Sequence, residues 1–245
     1  MKIDFCQIKN SGEDTVEVYF YGDIVSDEWS RWGKDDVCPS NIIELTKEIG
    51  NGNVNIHINS GGGDVFAGFA IYNILKNCKG KKTVYIDGLA ASIASVIAMA
   101  GDEIIVPENA YLMIHNAWTV GMGNSADMRK LAETLDTIDD GIVDTYLSRT
   151  CEGIDESMIR EYMSKETWFR GSEIADIFNN IRIDEPVNAV ASISNKFKAS
   201  YINLPNELNE SFKNDVIRRP DNANVPEELM DIANYAKCVK AAIGL

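Results

Sequence analysis

The sequence contains few histidines and no pattern of paired cysteines. These two shortages limit the residues that could act as a catalytic base, form disulfides or bind zinc. Only two histidines, His57 and His115, occur among 245 residues. The cysteines are odd in number and widely separated, with no C-x-x-C pair: Cys6, Cys38, Cys78, Cys151 and Cys238. This spacing favours neither a disulfide framework nor a zinc site. We therefore expect reduced, mostly buried thiols, and neither a metal nor a cofactor.

Positive charge and long apolar runs are also scarce. Lys and Arg number 23 against 38 Asp and Glu, which gives a formal net charge of −15 at pH 7. A protein that neutralises phosphates needs a basic face, so nucleic-acid binding is not expected. No stretch approaches the roughly 18 apolar residues of a membrane span, and the first residues lack the apolar core of a signal peptide. We expect a soluble, cytoplasmic protein without a membrane partner.

What the chain does contain is an alternation of strand and helix patterns. β-branched and aromatic runs predict strands at 15–22, 54–60, 83–88, 103–107, 111–115 and 181–183, and helical spacing predicts helices at 41–49, 65–76, 92–100, 125–147, 155–163 and 171–178. Such alternation indicates an α/β fold with much parallel pairing. From about Pro186 the composition shifts to Asn, Ser, Lys and Glu, and a helical pattern returns at 227–243. We expect a tail there that is poorly coupled to the core.

A serine and a histidine lie where a nucleophile and its base are expected. Ser92 opens a run of small apolar residues, and His115 ends a predicted strand. A serine hydroxyl needs a nearby imidazole to take its proton during attack, and a helix N-terminus favours the negative charge that develops. Ser95, one turn later, is a rival nucleophile inside the apolar run. His57 lies in an alternating strand on the face opposite Ile56 and Ile58, and we interpret it as structural.

A glycine-rich turn follows the strand at 54–60. Its sequence is Ser60-Gly-Gly-Gly-Asp64, and glycines allow backbone N–H groups to approach a substrate closely. Gly62 and Gly63, together with the N–H of Ile93, are the candidate oxyanion donors. A glycine turn is weak evidence by itself, so its value depends on the serine and the histidine.

Three segments together resemble the Clp protease proteolytic subunit family. They are Ile-Asn-Ser-Gly-Gly-Gly-Asp-Val, Gly-Leu-Ala-Ala-Ser-Ile-Ala-Ser and Met-Ile-His-Asn. Their order and spacing match the family, over about residues 15–184, and the Clp-like head-maturation (prohead) proteases of phages and prophages are especially similar. The resemblance implies a repeated β-β-α spiral core like that of the Clp and crotonase folds, a long handle helix, a protease domain at 1–185 and a C-terminal extension at 186–245.

The resemblance also implies the roles of the site residues. Ser92 would be the nucleophile, His115 the general base, and the amides of Gly62 and Ile93 the oxyanion hole, with Gly63 and Asn116 in the substrate-binding site. Glu166 takes the position where cellular enzymes usually carry an aspartate, and Glu161 is the alternative acid. Gly61 replaces the proline that is usual in the glycine loop.

The family further implies partners and assembly. Its members form heptameric rings, stacked in pairs, that cleave unfolded proteins, and this suggests a homo-oligomer with peptide or protein substrates, including phage capsid or scaffold proteins. The segment before Thr15 does not match the family's gating loop, so docking to an ATP-driven unfoldase is left open. Two other functions stay open: a crotonase-type acyl-CoA enzyme, and a non-catalytic ring or scaffold subunit.

Overall fold

The computed structural model describes residues 15–31, 33, 35–186, 201–206 and 208. The chain divides into two compact units, Met1–Asn209 and Glu210–Leu245. The helix expected at 227–243 lies outside the described residues. The division into a domain at 1–185 and an extension at 186–245 stays a prediction, although Tyr201 and Leu208 already belong to the first unit. In the part of the chain that the structure describes, no helix has the length and apolar character needed to cross a membrane.

The described residues of the first unit form seven strands and six helices. The strands are β1 (Thr15–Phe20), β2 (Asn53–Ser60), β3 (Lys82–Ala91), β4 (Glu103–Pro107), β5 (Tyr111–Ile114), β6 (Thr167–Arg170) and β7 (Ile181–Asp184). The helices are α1 (Pro39–Ile49), α2 (Val65–Lys76), α3 (Ile93–Ala98), α4 (Ser125–Leu147), α5 (Glu156–Ser164) and α6 (Ser172–Ile177), with a short 3-10 helix at Glu28–Ser30.

The strands form one sheet in which most neighbours are parallel. The order is β1-β2-β3-β4-β7, and every pair along this path is parallel. The long strand β3 pairs with β4 through its first half, and its last residues, Leu89–Ala91, pair in parallel with β5. β6 adds to β5 as the antiparallel edge. The predicted α/β class with a parallel-rich sheet is confirmed.

The centre of the core is formed by apolar strand residues together with α2 and α3, and the remaining helices add further buried residues to it. Alternate residues of β2 such as Val54, Ile56 and Ile58 are fully buried, while the intervening polar residues lie on the other face. Every residue of α3 is buried. The run of small apolar residues in the sequence therefore forms a helix inside the molecule, where only small side chains leave room for close packing.

Three segments that carry candidate residues follow the carboxyl ends of parallel strands. The glycine loop follows β2, Ser92 follows β3, and His115 follows β5. Because the carboxyl ends of parallel strands meet at one edge of a sheet, the topology brings these segments together, which is where ligand sites of open α/β sheets usually lie.

Most predicted elements are confirmed within a few residues, and two features differ. The segment Thr167–Arg170 is a strand, which the sequence analysis did not predict. The expected poor coupling of the tail is wrong for Tyr201–Asn203, because these residues pack and hydrogen-bond within the first unit. Their partners come from distant parts of the sequence, and no local pattern announces such contacts.

Candidate active site

Ser92 occupies a sharp turn between β3 and α3. Its backbone angles are φ 55° and ψ −132°, a combination that residues other than glycine rarely adopt. The Ser92 N–H donates to the carbonyl of Met113 at 3.0 Å, which ties the turn to β5. This strained turn resembles the nucleophile elbow of hydrolases, in which the serine side chain projects from the end of a strand.

The structure brings Ser92 and His115 into direct contact. The His115 Nε2 lies 2.8 Å from the Ser92 Oγ. Burial lowers the pKa of His115 below its ordinary value, and the charge of Glu166 opposes that shift. A lowered pKa keeps the imidazole neutral at neutral pH, so its Nε2 is able to accept the serine proton.

The glycine loop packs directly on the serine turn. A Cβ at Gly62 would lie 2.7 Å from the Ser92 Cβ and 2.8 Å from the Ala91 carbonyl oxygen, and Gly62 has a φ of 94°. A Cβ at Gly63 would lie 2.0 Å from the carbonyl oxygen of Ile24. Only glycine fits at either position, so the loop lets its backbone approach the nucleophile as an oxyanion site requires.

The two amides expected to stabilise an oxyanion, those of Gly62 and Ile93, lie close to each other, but the Gly62 amide already donates a hydrogen bond. Ile93 is the first residue of α3, so its N–H has no acceptor within the helix. The Gly62 N–H donates to the Ser60 Oγ at 3.1 Å, and that hydroxyl donates to the Gly22 carbonyl at 2.6 Å. The Gly62 N–H would have to give up its bond to Ser60 before both amides could donate to one oxyanion.

Glu166 is buried near His115 but bonds elsewhere. The residue is 7% exposed and adopts a positive φ of 49° between α5 and β6. Its carboxylate accepts the N–H of Ile202 at 2.8 and 2.9 Å and the N–H of Asn203 at 2.7 Å. The Trp168 indole N–H lies 3.3 Å away. Among the described residues no hydrogen bond joins Glu166 to the imidazole, although the carboxylate charge acts on it.

Tyr201 is the site residue that sequence reasoning missed. Its ring is buried, with its centroid 5.9 Å from that of His115 and 5.5 Å from that of Trp168. Its hydroxyl donates to the carbonyl of Gly61 in the glycine loop. Nothing local in the polar sequence around position 201 signals this contact.

A cavity of about 670 Å³ opens beside the Ser92–His115 pair. Its lining includes the serine turn, Gly63, Tyr201 and apolar residues of α4. The apolar α4 residues are Leu131, Leu135, Ile138 and Ile142. The cavity is wide enough for side chains of a peptide, and its wall suits apolar ones.

A family model for Clp protease matches residues 24–177, more than half of the chain. The chain belongs to the Clp protease family. The matched range contains Ser92, His115 and Glu166 and ends before Tyr201.

Individual Clp relatives match over shorter parts of the chain. An ATP-dependent Clp protease proteolytic subunit of Deinococcus radiodurans is 32% identical over 136 residues, which are 53% of this chain and 66% of that protein. A proteolytic subunit 1 of Chlamydia abortus is 32% identical over 124 residues, 49% of this chain and 63% of that protein. A proteolytic subunit 1 of Protochlamydia amoebophila is 29% identical over 121 residues, which are 47% of this chain and 57% of that protein. The chain thus spans less than two thirds of the length of these relatives.

The other candidate residues of this Clp family member take no part in the contact between Ser92 and His115. Asn116 and Glu161 line a second cavity between α4 and α5, and Glu161 forms an exposed ion pair with Lys165. Ser95 is fully buried and donates to the Ser92 carbonyl at 2.5 Å. Of these, Ser95 contacts the serine turn but not the imidazole of His115. The substrate-binding role expected for Asn116 stays a prediction.

The second histidine of this Clp family chain lies in a separate polar cluster on the sheet. The His57 ring stacks between Tyr19 and Tyr85, with centroids 4.6 and 4.7 Å away. Its nitrogens lie 2.8 Å from Asp87 and 3.1 Å from Glu17. Burial alone would lower the pKa of His57, but the bonds and charges of Asp87 and Glu17 raise it. The ring lies on the face opposite Ile56 and Ile58, as the alternation predicted.

Within the described residues, no three acidic, histidine or cysteine side chains are arranged to hold a metal ion.

Proposed function

We propose that this protein is a serine endopeptidase that cleaves peptide bonds through an acyl-enzyme on Ser92. The observation that carries the proposal is the 2.8 Å contact between the Oγ of Ser92, at a strained strand-to-helix turn, and the Nε2 of a partly buried, neutral His115. Membership of the Clp protease family supports the same chemistry.

The proposed reaction begins when the His115 Nε2 accepts the Ser92 proton and the Oγ attacks the scissile carbonyl carbon. The tetrahedral oxygen then carries the negative charge, which the amides of Ile93 and Gly62 stabilise. His115 donates its proton to the leaving amine as the C–N bond breaks, which leaves an ester on Ser92. A water, deprotonated by His115, hydrolyses this ester and regenerates both side chains.

Glu166 is proposed as the acid of the triad. Its charge lies close enough to oppose the lowering of the His115 pKa by burial, and a carboxylate near an imidazolium stabilises the proton that the imidazole has gained. The proposal requires the carboxylate to reach the imidazole during catalysis, although it accepts bonds from Ile202 and Asn203 in this structure.

The substrate and the assembly are proposed from the family. Peptides or unfolded proteins are the substrate class, and the cavity beside Ser92 offers an apolar wall to one of their side chains. We propose a ring-shaped homo-oligomer as the working form. The relationship to the phage prohead enzymes, with capsid or scaffold proteins as substrates, stays a prediction. Docking to an ATP-driven unfoldase is not part of the proposal.

The test is covalent labelling of the full chain with a fluorophosphonate probe, followed by peptide mass spectrometry. We expect an adduct on Ser92 that disappears in Ser92→Ala and persists in Ser95→Ala, whose side chain lies in the core. Because labelling needs an activated serine, an unlabelled Ser92 in the assembled protein would contradict the proposal and favour a non-catalytic scaffold role.

A further inference from the structure

A short segment of the C-terminal region lies across the candidate active site. Tyr201, Ile202 and Asn203 contact the glycine loop, the neighbourhood of His115, and Glu166. We propose that residues 201–203 form an intramolecular inhibitory segment that occupies the site and binds the triad acid until substrate displaces it. This inference rests on the proposed function, because it concerns the regulation of that same site.

The Tyr201 side chain fills space beside the nucleophile. The residue is 9% exposed. Its ring packs edge-on against Trp168, with 5.5 Å between centroids, and lies 5.9 Å from the His115 ring. Burial, together with the charges of Glu166 and Asp23, raises the pKa of Tyr201, so the phenol stays protonated and donates to the Gly61 carbonyl. The same ring lines the cavity that contains Ser92. A substrate that enters this part of the cavity has to move the ring.

The backbone of the segment occupies the carboxylate that the triad needs. The Ile202 N–H lies 2.8 Å from one Glu166 oxygen and 2.9 Å from the other, and the Asn203 N–H lies 2.7 Å from Oε1. Bonds from N–H donors to a charged carboxylate are short and strong. The segment donates to both oxygens, and in this arrangement no hydrogen bond joins the carboxylate to His115 among the described residues.

Only a few contacts hold the segment in place, so its binding to the site is reversible. Ile202 points outward with 78% of its surface exposed, so its contribution is the backbone N–H. The Asn203 side chain adds one bond, from Nδ2 to the Lys165 carbonyl at 2.7 Å. One buried ring and a few hydrogen bonds hold these residues, and a substrate that makes comparable contacts is able to compete with them.

The test compares full-length variants by their rate of fluorophosphonate labelling at Ser92. Ile202→Pro removes one N–H donor to Glu166, and Ile202→Ala is the matched control because it keeps that N–H and trims an exposed side chain. Tyr201→Ala removes the buried ring. We expect Ile202→Pro and Tyr201→Ala to label roughly tenfold faster than the natural sequence, and Ile202→Ala to label at its rate. Circular dichroism melts identify any variant that fails to fold. If Tyr201→Ala is such a variant, the comparison of Ile202→Pro with Ile202→Ala tests the inhibitory role.

The outcomes separate this inference from the proposed function. Equal labelling in all variants would overturn the inhibitory role and leave the serine peptidase proposal standing. Slower labelling in Tyr201→Ala, with a normal melt, would show that the ring supports the site and would overturn the inference too. If Ser92 labels in no variant, the proposed function fails.

A mass measurement tests the alternative that the segment is a substrate, cleaved by Ser92, and not an inhibitor. The intact mass of the natural protein is followed during incubation beside Ser92→Ala. We expect both masses to stay constant, since an inhibitor is held but not cut. Cleavage within residues 201–203 that requires Ser92 would mean that the segment is a substrate, which would overturn inhibition.

Discussion

At Ser92 the backbone holds a conformation that costs about 1–3 kcal/mol for a residue other than glycine. Neighbouring bonds offset this cost: the Ser92 N–H bonds to Met113, and the Ser92 carbonyl accepts both the N–H and the hydroxyl of Ser95. The Ser95 hydroxyl also contacts the buried Tyr146 hydroxyl at 2.8 Å. Ser95 is therefore better understood as a support of the nucleophile turn than as a rival nucleophile.

The titration of His115 gives a prediction at the residue scale. Because burial lowers the pKa of His115, labelling of Ser92 should rise with pH along a limb whose midpoint lies below the ordinary histidine pKa of about 6.5. The Glu166 charge opposes this lowering, so Glu166→Gln should move the midpoint to still lower pH. The measurement is the labelling rate between about pH 4.5 and pH 8, near the ordinary histidine pKa.

Glu161→Gln is the control for this titration. Glu161 is exposed and paired with Lys165, and its charge is not among the causes of the His115 shift. We expect its limb to coincide with that of the natural protein. A midpoint that rises in Glu166→Gln would remove Glu166 from the triad. A midpoint that moves only in Glu161→Gln would favour Glu161 as the triad acid.

At the scale of elements, α2 and α3 meet through a glycine, and this contact sets the position of the serine turn. A Cβ at Gly68 in α2 would lie 2.1 Å from the Ile93 Cγ1, so either Ile93 or α2 has to shift. Ile93 directly follows Ser92 and provides one of the proposed oxyanion amides. The missing side chain at Gly68 therefore allows close helix packing behind the nucleophile.

Two glycine substitutions test this contact. Gly68→Ala should lower the free energy of unfolding by about 1–3 kcal/mol, since overpacking outweighs the better helix propensity of alanine. It should also slow labelling of Ser92. Gly141→Ala in α4 is the control: its Cβ would lie 3.4 Å from a Phe69 ring atom, so alanine should stabilise the protein by up to about 1 kcal/mol. Urea denaturation measures both changes, and equal effects of the two substitutions would contradict the packing argument.

The elements that sequence predicted and those it missed differ in how local their signals are. The limits of α4 agree residue for residue with those predicted from the helical spacing of its apolar residues, and the structure adds that Asn124 caps the helix. β6 has only four residues and pairs with β5 about 56 positions earlier, so neither length nor alternation marks it. The contact between Tyr201 and Gly61 spans 140 positions. The serine, histidine and acid were identifiable because their order and spacing resemble a family, whereas the segment at 201–203 lies beyond the family match.

At the scale of the whole molecule, charge and exposed apolar surface act on assembly in opposite directions. Each chain carries a net charge of −15, which repels a second copy at low ionic strength. The loop between β5 and α4 nevertheless exposes three large apolar side chains, Trp118, Val120 and Met122. A charged surface would not be expected to leave such residues in water unless another surface covers them.

The proposed homo-oligomer predicts how assembly responds to salt and to substitution in this loop. Sedimentation velocity should show a species much heavier than the 27.1 kDa chain, and its fraction should grow from about 20 mM to 300 mM salt because screening shortens the range of repulsion to about 10 Å or less above 0.1 M. The double variant Val120→Ser, Met122→Ser should sediment as lighter species at every salt concentration, because it removes apolar area that assembly would bury.

The direction of the salt effect identifies the force that holds the oligomer. Apolar contacts persist or strengthen as salt rises, whereas ion pairs between exposed side chains weaken. Dissociation at high salt would therefore contradict an apolar interface at Trp118–Met122, and unchanged sedimentation of the double variant would place the interface elsewhere. The same samples can be labelled at Ser92, and slower labelling in the lighter species would indicate that neighbouring subunits help to order the loop that borders the active-site cavity.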